Sequence, residues 1–113
     1  MYFSIRQYRT NSADELTRRV KESFVPLISQ APGFISYHCI NAGDGMYVSV
    51  SVFDTQAHAE ESNQMAAEWL KKNDGLVLGP PNITAGEVVV HKSGRPGEKG
   101  SRVRRGAARG AHV

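Results

Sequence analysis

Two hydrophobic periods alternate along residues 2–91, and their order constrains the fold more than any other feature of this sequence. Apolar and polar residues alternate in four segments, which predicts β-strands at residues 2–9, 34–41, 46–53 and 83–91. Two further segments repeat apolar residues about every 3.6 positions, as amphipathic helices do. The order β-α-β-β-α-β predicts an α+β fold of the ferredoxin-like type, a four-stranded antiparallel sheet with two helices on one face.

Both predicted helices carry recognisable start or break signals. Ser12, followed three residues later by Glu15, forms a capping-box pattern that predicts the start of the first helix. Pro26 lies inside the same helical pattern and lacks a backbone donor, so we expect a kink or a break there. Asp54 or Thr55 is expected to cap the second helix, which the pattern extends to about residue 72.

The sheet face opposite the helices is predicted to be unusually apolar. Large apolar side chains occur on both faces of the first three strands, for example Phe3 and Ile5 opposite Tyr2 in the first. A contiguous apolar patch on a protein surface usually marks an interface. We therefore expect a homodimer whose two sheets pack face to face, with the small residues Ser49 and Ser51 in the seam.

Charge divides the chain into a body and a tail. Residues 1–91 carry seven Lys+Arg and ten Asp+Glu, whereas residues 92–113 carry seven and one. The tail is rich in glycine and arginine and almost free of large apolar residues, which predicts disorder. We expect a domain over residues 1–91 and a solvated tail over residues 92–113, with nonspecific binding of a polyanion by the tail as the alternative.

Cysteine content and hydropathy indicate the compartment. Cys39 is the single cysteine, so an intramolecular disulfide is excluded, which fits a reducing environment. No apolar run approaches the roughly 20 residues of a membrane span, and the first residues lack the pattern of a signal peptide. These features predict a cytoplasmic protein without membrane contact.

The second helix carries polar residues on its inward arc. On a helical wheel Asn63 and Ser62 lie among Ala59, Ala66 and Ala67, where a helix facing a sheet normally carries bulkier side chains. A buried Asn needs hydrogen-bond partners. Asn63 is therefore either satisfied by a neighbouring group or a buried water, or it lines a pocket and binds a ligand.

Four other residues are candidates for the same pocket. Trp69 lies at the margin of the inward arc, where it either seals the helix against the sheet or stacks on a planar substrate. His58 is either a surface histidine or a base at the pocket edge. Arg6 and Tyr37, on strands, either orient an anionic or phenolic ligand or have an interface or surface role. No group of His, Cys or Asp has the spacing of a metal site.

Three stretches of the sequence resemble the antibiotic biosynthesis monooxygenase domain family, which belongs to the dimeric α+β barrel superfamily. They are FVPLISQAPGFISYHCINAGDG, VSVFDTQAHAEESNQMAAEWLKKN and GPPNITAGEVVV. The most telling parts are the PGF entry to the second strand, the VSVFD exit of the third, and the Ser-Asn, Ala and Trp positions of the second helix. The resemblance implies a dimer formed by sheet packing and a pocket in each subunit between the sheet and the helices.

The resemblance also implies a reaction. Characterised members oxidise aromatic polyketide intermediates with O2 and without metal or flavin, or they degrade haem. The haem-degrading members use an Asn from the first strand, where this chain offers Ser4, Arg6 and Gln7. We therefore predict a cofactor-independent monooxygenase of a small planar aromatic or quinol-like substrate, or alternatively a non-catalytic, dimeric ligand-binding or stress-associated protein. The predicted catalytic residues are Asn63 and Trp69, and the predicted substrate-binding residues are Ser62, Ala66, His58, Tyr37 and Arg6.

Overall fold

The computed structural model describes residues 1–94, and its elements follow the predicted order. Strand β1 is followed by a helical segment made of α1, a π-helical turn and α2, then by β2, β3, α3 and β4. The strands are β1 (Tyr2–Arg9), β2 (Phe34–Gly43), β3 (Met46–Phe53) and β4 (Asn82–Glu87). The helical elements are α1 (Ala13–Arg19), the π-helical turn (Val20–Phe24), α2 (Val25–Ile28) and α3 (Gln56–Lys72). The strands form one antiparallel sheet in the order β2-β3-β1-β4, so the α+β, ferredoxin-like fold is confirmed. Residues 95–113 of the predicted tail lie outside the described residues.

The first helical segment is irregular next to Pro26, where the sequence predicted a kink or a break. Pro26 lies in the first turn of α2, directly after the π-helical turn. Because proline lacks an N–H, it interrupts the regular hydrogen-bond ladder, and the wider π turn accommodates this interruption. The segment nevertheless stays helical from Ala13 to Ile28, so the irregularity near Pro26 is a π-helical turn and the break that the sequence allowed for does not occur.

The predicted capping box of α1 is wrong. Ser12 is the N-cap residue, but its side chain makes no capping hydrogen bond. Its own backbone N–H donates to Thr10 Oγ1 at 2.9 Å, which is the donor that Glu15 was expected to satisfy. The Glu15 carboxylate instead accepts from Arg18 and Arg19 at 2.5 and 2.9 Å, because both guanidinium groups lie within one helical turn of it.

The start of α3 was predicted correctly, whereas the end of β4 was not. Helix α3 begins as expected after Thr55, whose side chain accepts from the backbone N–H of His58 at 3.2 Å. Strand β4 ends at Glu87, four residues before the predicted end. Its partner β1 begins at Tyr2, which pairs with Glu87, and one further bond joins Val88 N to the Met1 carbonyl at 2.9 Å. Beyond that point no residue of β1 pairs with the segment that follows β4 in the described part of the chain.

The placement of Ser49 and Ser51 in a dimer seam is wrong. Both are buried beneath the helices, 2% and 0% exposed, opposite Arg6 and Ser4 of β1. Residues that pair across antiparallel strands share a face, so the valines of β3 lie on the open face instead. The helix-covered face accepts these serines because it must accommodate Arg6, as the hydrogen bonds of the site show.

The open face of the sheet is nevertheless apolar, as predicted, although with a different set of residues. Phe3, Ile5, Val48 and Val50 are only partly covered, and Ile40 is 49% exposed. The main core lies on the other face, where the first helical segment and α3 pack against β1 and β3. It consists chiefly of Leu16, Val20, Phe24, Ile28, Tyr47, Phe53 and Trp69.

Candidate functional site

A buried arginine lies at the centre of the helix-covered face. Arg6, in the middle of β1, is 1% exposed. Its Nε donates to Ser49 Oγ at 3.1 Å, its Nη2 donates to Ser51 Oγ at 2.5 Å, and its Nη1 donates to Asn63 Oδ1. Three neutral side chains from one strand and one helix therefore hold the guanidinium in place.

Arg6 has no carboxylate partner within residues 1–94. The ion pairs of that part of the chain involve the amino terminus, Arg18, Arg19 and His58. Burying an ion costs several kcal/mol, and a hydrogen bond to a charged group recovers only about 1.5–3 kcal/mol. The interior beside Arg6 is consequently electropositive.

Asn63 joins α3 to this arginine. Its Oδ1 accepts both from Arg6 and from Ser4 Oγ, the latter at 2.7 Å. No described residue accepts from its Nδ2, and the side chain lines an open cleft. The sequence left two interpretations open, an Asn63 satisfied by neighbouring groups and an Asn63 that lines a pocket. The structure has features of both, because Asn63 accepts hydrogen bonds from β1 and also faces a cavity.

Two adjacent cavities meet at Arg6. The larger is a cleft of about 280 Å³ that opens to solvent between α3, β1 and residues 77–83. The smaller has a volume of about 20 Å³, on the scale of one water molecule, and lies deeper beneath α3. Both are lined by Arg6, Tyr8, Ala66, Leu70 and Val77.

The larger cleft is mostly apolar, with a polar inner wall and a charged rim. Ala67, Pro80, Pro81 and Ile83 add apolar surface to the shared residues. Asn63 and Arg6 supply polar atoms at the inner end, whereas the exposed residues Lys71 and Asp74 lie at the rim. Apolar walls with a few convergent polar groups are typical of small-molecule sites.

Trp69 belongs to the smaller cavity. It is 8% exposed, and its Nε1 donates to Ser23 Oγ at 2.8 Å. The centroid of its ring lies 5.4 Å from that of the Phe24 ring, and the centroids of the Phe24 and Tyr37 rings are also 5.4 Å apart. Trp69 therefore seals α3 against the first helical segment.

Three tyrosines line the smaller cavity, of which Tyr8 and Tyr47 are buried and Tyr37 is partly buried. Burial raises the pKa of Tyr37, Tyr8 and Tyr47, and for Tyr8 the nearby Arg6 opposes the rise. The hydroxyls of Tyr47 and Thr17 are 2.7 Å apart and share a hydrogen bond. Because the pKa of each is raised, these phenols stay protonated at neutral pH and do not act as bases.

Two of the predicted substrate-binding residues line neither cavity. Ser62 is fully buried and donates to the Ala59 carbonyl at 2.6 Å. His58 pairs through Nδ1 with Asp54 Oδ1 at 2.6 Å near the start of α3, and this hydrogen bond lowers the pKa of Asp54. The two residues stabilise α3 and its entry, and their binding roles stay predictions.

The structure brings the remaining predicted residues together in two groups. Arg6, Asn63 and Ala66 line the cleft, whereas Trp69 and Tyr37 line the smaller cavity, which also includes Arg6 and Ala66. The sequence analysis missed Tyr8, Ser49, Ser51 and Ser4. The available signal was the spacing of two between Ser4, Arg6 and Tyr8, which puts all three on one strand face.

Metal-binding clusters and membrane-spanning helices are both absent from residues 1–94. In this range no group of three or more His, Cys, Asp or Glu side chains is arranged to hold a metal ion. None of the helices there combines the length and the hydropathy that a membrane span requires.

Solved structures of other proteins share this fold. A Nitrosomonas europaea protein assigned to the antibiotic biosynthesis monooxygenases has a TM-score of 0.64 at 14% identity, covering 80% of this chain and 100% of its own. The ActVA-Orf6 monooxygenase of Streptomyces coelicolor, in complex with nanaomycin D, has a TM-score of 0.60 at 17% identity, with 81% and 92% covered. SnoaB, a cofactor-independent oxygenase of Streptomyces nogalater, has a TM-score of 0.61 at 12% identity, with 80% and 94% covered.

Neither a family model nor a curated protein matches this chain at the level of sequence. At 12–17% identity the structural likeness establishes the fold alone. The resemblance to the antibiotic biosynthesis monooxygenases is confirmed at that level.

Proposed function

We propose that this protein is a cofactor-independent monooxygenase that oxidises a flat aromatic or quinol-like molecule in the cleft beside Arg6 and Asn63. The observation that carries this proposal is the meeting of a buried, unpaired guanidinium and an amide at the inner wall of an apolar cleft, within the described residues 1–94. Two proteins of the same fold support it, since one is a cofactor-independent oxygenase and the other is a monooxygenase that binds nanaomycin D.

The proposed reaction needs no separate reductant because the substrate supplies all four electrons. One oxygen atom of O2 joins a substrate carbon, and the other leaves as water with two hydrogens from the substrate. A quinol would thus become a hydroxyquinone. The electron-rich species that reacts with O2 is the substrate anion, and preorganised donors in a site shielded from water stabilise such a charge.

Asn63 and Trp69 have different parts in this proposal. Asn63 lies at the cleft, and its amide nitrogen has no acceptor among the described residues, so it is proposed to contact the substrate. Trp69 lies in the smaller cavity, whose volume of about 20 Å³ is too small for an aromatic ring. Its proposed role is to position α3, and with it Ala66 and Asn63, at the cleft wall.

The homodimer is part of the same proposal. Phe3, Ile5, Val48 and Val50 form a contiguous apolar patch on the open sheet face, away from the cleft. A second copy packed on this patch would cover it and leave both clefts accessible. Static light scattering at micromolar concentration should then give twice the mass of the chain, and a monomer would contradict the dimer.

Oxygen uptake tests the catalytic proposal. The assay uses a panel of dihydroxyaromatic compounds in the presence of a chelator, with Asn63→Ala as the test variant and Gln64→Ala, on the exposed side of α3, as the control. Removing a donor to a developing oxyanion typically lowers kcat about 10²- to 10³-fold. We expect that loss in Asn63→Ala and none in Gln64→Ala.

A second candidate function is a non-catalytic, ligand-binding dimer. It is favoured by the anchoring of Asn63 to Ser4 and Arg6, an arrangement that holds a ligand equally well without turnover. Binding of the panel compounds without oxygen uptake would support this alternative over the monooxygenase.

A further inference from the structure

We propose that Arg6 is the specificity determinant of the cleft and that the ligand binds as an aromatic oxyanion whose negative charge Arg6 neutralises. This inference rests on the proposed function only in taking the cleft as the ligand site. It adds the charge state of the ligand and the residue that selects it.

The charge of Arg6 is the first support. The guanidinium is 1% exposed, and all three of its hydrogen-bond acceptors are the neutral side chains Ser49, Ser51 and Asn63. Buried charges in proteins are normally paired. Within residues 1–94 the structure supplies no anion to Arg6, so a ligand anion would supply the missing charge.

The geometry of the guanidinium is the second support. Arginine has five N–H donors, of which Nε has one and each terminal nitrogen has two. Because Nη1 and Nη2 each donate once to a described residue, each retains one N–H. A carboxylate or phenolate oxygen is the acceptor that such charge-assisted donors favour.

The surroundings of the cleft are the third support, because the described residues that line it include no buried carboxylate or histidine that could act as a base. Of the described cleft residues, Asp74 alone carries a carboxylate, and it lies exposed at the rim. Tyr8 shows how the two local effects compete, since burial raises its pKa and Arg6 lowers it. A ligand that arrives as a preformed anion releases its proton to solvent and needs no base inside the cleft.

A pair of nearly isosteric probes isolates the charge. 2-Naphthoate and 2-naphthamide have the same ring and almost the same shape, and neither reacts with O2, so calorimetry reports binding alone. We expect wild-type protein to bind the carboxylate about 10- to 100-fold more tightly than the amide, as a charge-assisted hydrogen-bonded pair would give. Equal affinity for the two probes would overturn the inference.

Three variants assign the preference to Arg6. Arg6→Gln keeps a donor without charge and should abolish the preference, whereas Arg6→Lys keeps the charge and should retain part of it. Lys71→Gln removes the rim cation and should leave the preference within about twofold, because exposed charges interact weakly. A preference that survives Arg6→Gln, or that disappears in Lys71→Gln, would overturn the inference.

Folding of the variants is checked by circular dichroism and by the melting temperature without ligand. If Arg6→Gln does not fold, the decision falls to wild-type protein and Lys71→Gln. In both, 2-naphthoate should raise the melting temperature and 2-naphthamide should raise it much less. Equal shifts with the two probes would overturn the inference.

A third probe distinguishes the sources of the oxyanion. 2-Naphthol binds as a phenol or a phenolate, which its absorbance spectrum separates. A bound naphthol whose pKa lies below that of free naphthol assigns the site to phenolates, whereas tight binding of naphthoate alone assigns it to carboxylates. A raised naphthol pKa together with equal binding of 2-naphthoate and 2-naphthamide would contradict both.

The inference and the proposed function fail separately. Charge-selective binding that depends on Arg6, without oxygen uptake by any panel compound, would support the anion site and reject the monooxygenase. Oxygen uptake in a protein that binds 2-naphthoate and 2-naphthamide equally would reject the anion site and leave the monooxygenase standing.

Discussion

Replacement of Gly33 is expected to disturb the start of α3. This glycine lies before β2 with a φ of 77°, in the left-handed region, and its carbonyl accepts from Asp54 N at 3.0 Å. A Cβ on Gly33 would lie 2.7 Å from Asp54 Cγ and would overlap both Asp54 Oδ1 and His58 Nδ1. An added methyl group must therefore displace the Asp54–His58 pair at the start of α3.

Two contributions determine the expected loss in Gly33→Ala. The left-handed backbone costs an alanine roughly 1–2 kcal/mol, and the overlap forces a rearrangement of the kind that costs about 1–3 kcal/mol in tightly packed places. Gly75→Ala is the matched control, because Gly75 has a φ of 90° and a methyl group added there would have no described atom within 4 Å. We expect the free energy of unfolding to fall by about 2–5 kcal/mol in Gly33→Ala and by about 1–2 kcal/mol in Gly75→Ala.

Urea unfolding at fixed protein concentration measures both losses in the free energy of unfolding, because the stability of the proposed dimer would depend on concentration. In an Asp54→Ala, His58→Ala background the obstruction is gone, so Gly33→Ala should cost no more than Gly75→Ala. An equal loss for the two glycine variants in the unmodified protein, or an undiminished loss in that background, would refute the reasoning.

Three further outcomes are expected. Trp69→Phe and Ser23→Ala should show a coupling of about 1 kcal/mol in a double-mutant cycle of unfolding, because each removes the same part-buried hydrogen bond; additive losses would contradict the bond. Because the hydrogen bond from His58 lowers the pKa of Asp54, its stabilisation is present above the unfolded pKa of about 4 and is lost as the pH falls through the folded value. Asp54→Asn should therefore lose less stability between pH 6 and pH 3 than the unaltered chain, and identical acid profiles would count against the pair. Val50→Asp, at the centre of the open face, should convert the proposed dimer to a monomer in light scattering, whereas an unchanged dimer mass would place the interface elsewhere.

The sequence predicted those elements whose limits depend on local patterns. The bounds of β1 and β3 and the Thr55 cap of α3 agree with the structure, because alternation and capping are properties of neighbouring residues. The end of β4 does not agree, because it depends on where β1 begins. A strand ends where its partner strand ends, and the local pattern of residues 88–91 carries no information about the extent of β1.

The face of β3 was assigned wrongly for a related reason. Apolar valines alternate with serines there, and burial of the valines is the ordinary expectation. Arg6 reverses that expectation, because a guanidinium on the covered face of β1 needs hydrogen-bond acceptors on the adjacent strand. Ser49 and Ser51 supply them from the register positions next to it.

The same guanidinium explains why small and polar residues occur on the inward arc of α3. Asn63 accepts from Arg6, and Ala66 lines both cavities beside it. The long arginine side chain therefore occupies part of the space that was predicted from the alanines of α3. The rest is the cleft of about 280 Å³. A substitution that shortens Arg6 would therefore be expected to enlarge the site, with loss of the charge in Arg6→Gln and without it in Arg6→Lys, which is why both variants must be compared with probes of equal shape.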